Sequence, residues 1–199
     1  MNKQYFDQGY EVPACKRQDL LRFAATIHKT IGYNPDTPFP VMKFVEQVLY
    51  ELYPDYKFEI VEISKLPNKL GETFPHTHHI KLREDVYIAA ANNNPFARLT
   101  VMHEAGHCMW HDRIPISLPR RDASNIPAYS SSEWQANALA GALLMPFVKI
   151  VEMTPEEIAD KYLVTISAAK NQRKAARFEW TKLEKMRESF GGGGSFGLY

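Results

Sequence analysis

His103, Glu104, Ala105, Gly106 and His107 form the pattern H-E-x-x-H, two histidines four residues apart with a glutamate beside the first. On a helix that spacing puts both imidazoles on one face about one turn apart, where they can reach a single metal ion. The glutamate falls on the adjoining face, where its carboxylate can take a proton from a water at the metal and return it to a leaving amine. The chemistry predicted by this pattern is a one-zinc centre with Glu104 as general base. Its surroundings agree, because Leu99, Val101, Met102, Cys108, Met109 and Trp110 form an apolar setting in which polar groups without a partner would be costly to bury.

A catalytic zinc takes a third protein ligand and keeps one position open, and His111, Asp112 and Glu133 are the candidates. His111 lies ~12 Å along an unbroken helix from His103, too far for one ion to bond both. Glu133 is favoured, at the start of a separate helix. From spacing alone it could equally close a capping box with Ser130. Asn137, one turn later, could hydrogen-bond a ligand or simply face solvent. Ala136, Ala138, Ala140, Gly141 and Ala142 keep that helix slim, so it can approach a neighbour closely.

The elements that must hold these groups follow from periodicity. Helices are predicted over residues 18–30 and 41–53, and short strands over 57–63, 77–82 and 85–90. The metal helix is predicted over 96–112, with further helices over 130–145, from Pro155, and over 167–186. Residues 113–128 lack periodicity and carry Arg120, Arg121 and Asp122, which makes them a candidate lid. The expected fold is α+β, a small, mostly antiparallel sheet on a helical body. The expected divisions are an N-terminal arm (1–17), a zincin-like domain (18–150), a C-terminal helical extension (151–190) and a flexible Gly-rich tail (191–199).

Composition narrows the classes of function. The net charge of +1 supplies no overall field for nucleic acid or anionic membrane. Cys15 and Cys108 do not suggest a disulfide framework, and no signal-like or membrane-spanning stretch is seen, so a reducing cytoplasm is expected.

Taken together, HEAGH, the later E-x-x-A-N of Glu133 to Asn137, and the Ala-rich run ending in Leu143, Leu144, Met145 and Pro146 resemble the ImmA/IrrE-type metallopeptidase family. The resemblance implies that His103, His107 and Glu133 bind Zn2+ and that Glu104 is the catalytic base. It also implies an intracellular role, cleaving a repressor or other regulatory protein; the substrate itself does not carry over.

Further expectations concern binding. Ile80, Lys81 and Leu82 could take an extended peptide by strand addition. Tyr129, His76, His78 or His79 could supply a donor to an oxyanion. A second reading, a DNA-binding regulator, rests on Ile158 to Ser167 followed by Lys170, Arg173, Lys174 and Arg177, although the near-zero net charge argues against direct nucleic-acid binding. A third is a zinc-containing binding module that does not cut its partner.

Overall fold

The structure is a computed structural model, and it describes residues 9–112 and 126–189. The expected lid falls mostly, and the Gly-rich tail wholly, outside the described residues.

The fold is α+β, with one three-stranded sheet among helices. Helix α1 (Arg17–Thr30) buries Leu20, Ala24, Ile27 and His28. The second helix is interrupted: α2 (Val41–Lys43) leads into a π-helical turn, Phe44–Val48, and then α3 (Leu49–Leu52). Val41, Phe44, Val45 and Leu49, all fully buried, form its inner face.

The sheet differs from expectation. Strand β1 (Lys57–Val61) and β3 (His79–Arg83) lie close to the predicted segments, whereas β2 (Gly71–Phe74) is additional. The order is β1-β3-β2, with β1 parallel and β2 antiparallel to β3, so the sheet is mixed rather than mostly antiparallel. β3 is central, and alternation turns Ile80 and Leu82 into the core. The segment expected as a third strand, 85–90, is instead helix α4 (Glu84–Ala91). Two acidic residues in its first turn and the run Ala89 to Ala91 favour helix, and Val86 and Ala90, four apart, bury one side.

Helix α5 (Pro95–Trp110) follows. The Asn94 side chain caps it, accepting from the backbone N–H of Phe96 and Ala97, and Pro95 occupies its first position. Nearly every residue from Ala97 to Met109 is buried, so this helix runs through the interior rather than along the surface.

Helix α6 (Ser132–Leu144) crosses α5 at Gly106, where a β-carbon would stand 3.0 Å from the Ala136 carbonyl oxygen. The contact requires glycine on one helix and a small residue on the other. Short α7 (Phe147–Ile150), α8 (Pro155–Tyr162, with a Thr154–Glu157 capping box) and long α9 (Ile166–Ser189) complete the helical body. α9 packs Gln172 against Gly141 of α6, and its buried Glu179 accepts from Gln18 of α1.

Residues 9–15 do not hang free. Glu11 bridges Ser131 antiparallel, and the N–H groups of Val12 and Cys15 donate to the Ser130 and Tyr129 carbonyls. This arm thus lies along the chain that leads into α6.

Candidate metal centre

Helix α5 presents His103 and His107 on one face, and the first turn of α6 brings Glu133 over them. Nε2 of His103 lies 3.2 Å from one Glu133 oxygen and Nε2 of His107 lies 3.2 Å from the other. The two Nε2 atoms are 3.1 Å apart. These atoms all lie within 4.8 Å of one another, and they form a group that could hold a metal ion. Glu133 therefore does not close a capping box with Ser130. The N-cap is Ser131, whose hydroxyl accepts from the Trp134 N–H, and this leaves the Glu133 carboxylate for the histidines.

The other ring nitrogens are held from behind. His103 Nδ1 lies 3.1 Å from Asn137 Oδ1, and His107 Nδ1 lies 3.1 Å from Nδ1 of His111. His111 follows α5, is 1% exposed, and reaches Gln135 of α6 at 3.2 Å. It joins the ligand cluster from behind, as its distance from His103 along the helix required. Asp112 stands apart, with its carboxylate 3.7 Å from His78 Nε2.

Electrostatics follow from this packing. Burial pushes the Glu133 carboxyl up, but hydrogen bonds and charge from His103 and His107 outweigh it and hold the group well below the usual carboxylate range. Burial acts to lower the His103 pKa, yet the Glu133 and Glu104 carboxylates and Asn137 raise it overall. At His111 burial dominates, and with neighbouring His107 it brings the pKa down to about 4, so this ring is neutral near pH 7.

Does a metal suit this donor set? Asn137 fixes one imidazole and His111 the other, each through Nδ1, while a carboxylate with a depressed pKa closes the triangle. Two nitrogens and a carboxylate oxygen converging with open space beside them match what zinc takes in a site that keeps a position free. The residues fit the ion.

Glu104 faces a cleft of about 240 Å³ that is also lined by His103, His107, Glu133, Tyr10 and residues 69–74. Thr73 of β2 places its hydroxyl 2.6 Å from Glu104 Oε2, and Gly71 lies against the same side chain. Both residues were missed at the sequence level, because a four-residue strand with one apolar residue leaves no periodic signal. Tyr10 was also missed. Gly9, before it, packs on Glu133 so closely that a β-carbon would come within 2.7 Å of the glutamate side chain. Burial, then the Glu133 charge, raises the Tyr10 phenol's pKa, so it stays a donor.

Several expected participants lie elsewhere. His78 contacts Asp55 at 2.8 Å, His79 contacts Glu59 at 3.1 Å, and His76 donates to the Asp112 carbonyl. None of them lines the cleft, and neither does Tyr129, which is half exposed. Ile80, Lys81 and Leu82 sit in the central strand, bonded on both sides, and cannot accept an added strand. In the helix pair α8–α9, Arg173 and Arg177 donate to the Met153 and Val151 carbonyls and so help to hold α9 in place.

Residues 59–182, more than half of the chain, match the model of the M78 peptidase family, the IrrE N-terminal-like domain. The chain belongs to this family. The match begins within β1 and takes in the whole of α5, α6 and α8, so the three clustered residues and Glu104 all fall inside it, while α1 and the arm lie outside. No curated protein matches the chain significantly. Cys15 and Cys108 are free thiols, their pKa values pushed up by burial to about 11 and about 12. Among the described residues no helix is long and apolar enough to cross a membrane.

Proposed function

We propose that the chain is a zincin-like, single-zinc metalloendopeptidase that cleaves an intracellular protein, a transcriptional repressor or related regulator being the expected class. The observation that carries this reading is the convergence of His103, His107 and Glu133 beside a cleft that also exposes Glu104. Zn2+, held by those three residues, would lower the pKa of a water and polarise the scissile carbonyl. Glu104 would take the proton from that water and pass it to the leaving amine, its carboxylate held in place by the Thr73 hydroxyl.

The site also suits an extended peptide. β2 is an edge strand along the cleft. Because the Arg83 N–H donates to the Leu70 carbonyl, antiparallel alternation turns the backbone groups of Gly71 and Thr73 away from β3. Among the described residues nothing pairs with those groups, so strand addition falls to β2. With Arg173 and Arg177 of α9 bonded to backbone carbonyls and a net charge of +1, the DNA-binding alternative is left without a comparable observation.

The test is elemental analysis of the purified chain, followed by a cleavage assay on regulatory proteins from its source. One zinc per native chain is expected. Glu104→Gln should retain the metal and lose cleavage by several orders of magnitude. A native chain that takes up no zinc, or a Glu104→Gln variant as active as the native chain, would refute the assignment.

A further inference from the structure

Gln135 is the pivot of a hydrogen-bond chain that starts in the N-terminal arm and ends on His107. Its Nε2 donates to the Pro13 carbonyl at 3.0 Å and to the Tyr129 carbonyl at 2.8 Å. Carbonyls only accept, so both amide hydrogens are committed and Oε1 faces the other way. There it accepts from Trp110 Nε1 at 3.0 Å and stands 3.2 Å from His111 Nε2. An amide oxygen has no proton to give, so Nε2 of His111 is the donor, and Nδ1 of the neutral ring carries a lone pair. That lone pair lies 3.1 Å from Nδ1 of His107. His107 must therefore donate from Nδ1, so its Nε2, aimed at His103 and Glu133, is the nitrogen that can present a lone pair to an ion.

We infer that Gln135 and His111 are positioning residues that fix the tautomer of His107, and that the arm belongs to this device through the Pro13 carbonyl. An imidazole without such a partner can carry its proton on either nitrogen. A proton on Nε2 would point to where the ion must bind and would have to leave first. The purpose of the relay rests on the metal reading proposed above, whereas its geometry does not. Pro13 lies outside the residues matched to the family.

Histidine-selective 15N labelling of the full metal-free chain, at about pH 8 where ordinary histidines are neutral, reads which nitrogen of His107 holds the proton. The native chain is expected to show it on Nδ1. His111→Phe, which cannot accept, should move it to Nε2, and His111→Gln, whose side-chain oxygen can accept, should restore it. Gln135→Leu provides a second route to the same shift if the Phe variant does not fold. Zinc affinity from chelator competition should fall about 10- to 100-fold in the Phe and Leu variants and stay close to native in His111→Gln. A native His107 protonated on Nε2, or a tautomer unchanged in folded His111→Phe and Gln135→Leu, would overturn the relay. A native chain without zinc uptake would instead defeat the peptidase reading, since the tautomer is read with no metal present.

Discussion

Thr73 shows how much one hydroxyl does at this site. It donates to the carboxylate of Glu104 at 2.6 Å, and a hydrogen bond to a charged group contributes ~1.5–3 kcal/mol. Thr73→Val keeps the shape and removes the donor, so kcat should fall ~10-fold or more with zinc content unchanged, measured by steady-state kinetics beside elemental analysis. Asn137 does the same for a ligand, accepting from His103 Nδ1. Asn137→Ala should weaken zinc binding ~10- to 100-fold in a chelator competition. At this scale the sequence was informative wherever spacing on a helix encodes geometry, as for His103, Glu104 and His107. It was silent on Thr73 and Tyr10, which meet the site only because β2 and the arm fold back onto it. It also misdirected attention to His76, His78 and His79, since a cluster of one residue type in a turn carries no information about which way each ring points.

Among elements, the α5–α6 crossing decides whether the Glu133 carboxylate reaches the two imidazoles. At Gly106 a β-carbon would stand 3.0 Å from backbone that cannot rotate away. Gly106→Val should therefore part the helices, costing about 1–3 kcal/mol in urea denaturation and weakening zinc binding together, while a surface valine elsewhere on α5 would do neither. Small residues on α6 announced this contact in the sequence. The sheet was harder to read. Val86, Tyr87 and Ile88 have strand-like side chains, yet the acidic first turn and alanine run make α4 a helix. β2 has almost no strand character and is held by β3 and by its fit against Glu104. In β2 tertiary packing overrode local preference, whereas in α4 one set of local signals outweighed another.

For the molecule as a whole, buried polar groups help to join the helices. His28 of α1 is within 2.9 Å of the Leu143 carbonyl in α6, and burial lowers its pKa, a bond to that carbonyl only partly opposing this. The unfolded chain binds this proton near the ordinary value of ~6.5, and the folded chain only at lower pH. Between the two the unfolded state holds more protons, so stability is full above ~6.5 and is lost as pH falls. His111, at about 4, acts in the same direction. The melting temperature should accordingly drop as pH goes from ~6.5 towards 4, and His28→Gln should flatten that slope; a slope identical to native would refute the assignment. That a small sheet would sit among helices was legible from periodicity. That its first helix and its last would meet, through Gln18 and Glu179, was not, because nothing in either segment specifies its distant partner.

The arm's pairing with residues 129–132 has a bearing on biosynthesis. Residues 9–15 leave the ribosome first, but their partners are more than a hundred positions downstream. At ~5–20 residues per second, the leading segment waits several seconds for them. Until α6 has emerged the nascent chain lacks the carboxylate of Glu133, and the arm that packs on it at Gly9 has nothing to seat. A chain that has not yet reached α6 thus has an incomplete metal cluster, and the centre assembles only after Glu133 has emerged.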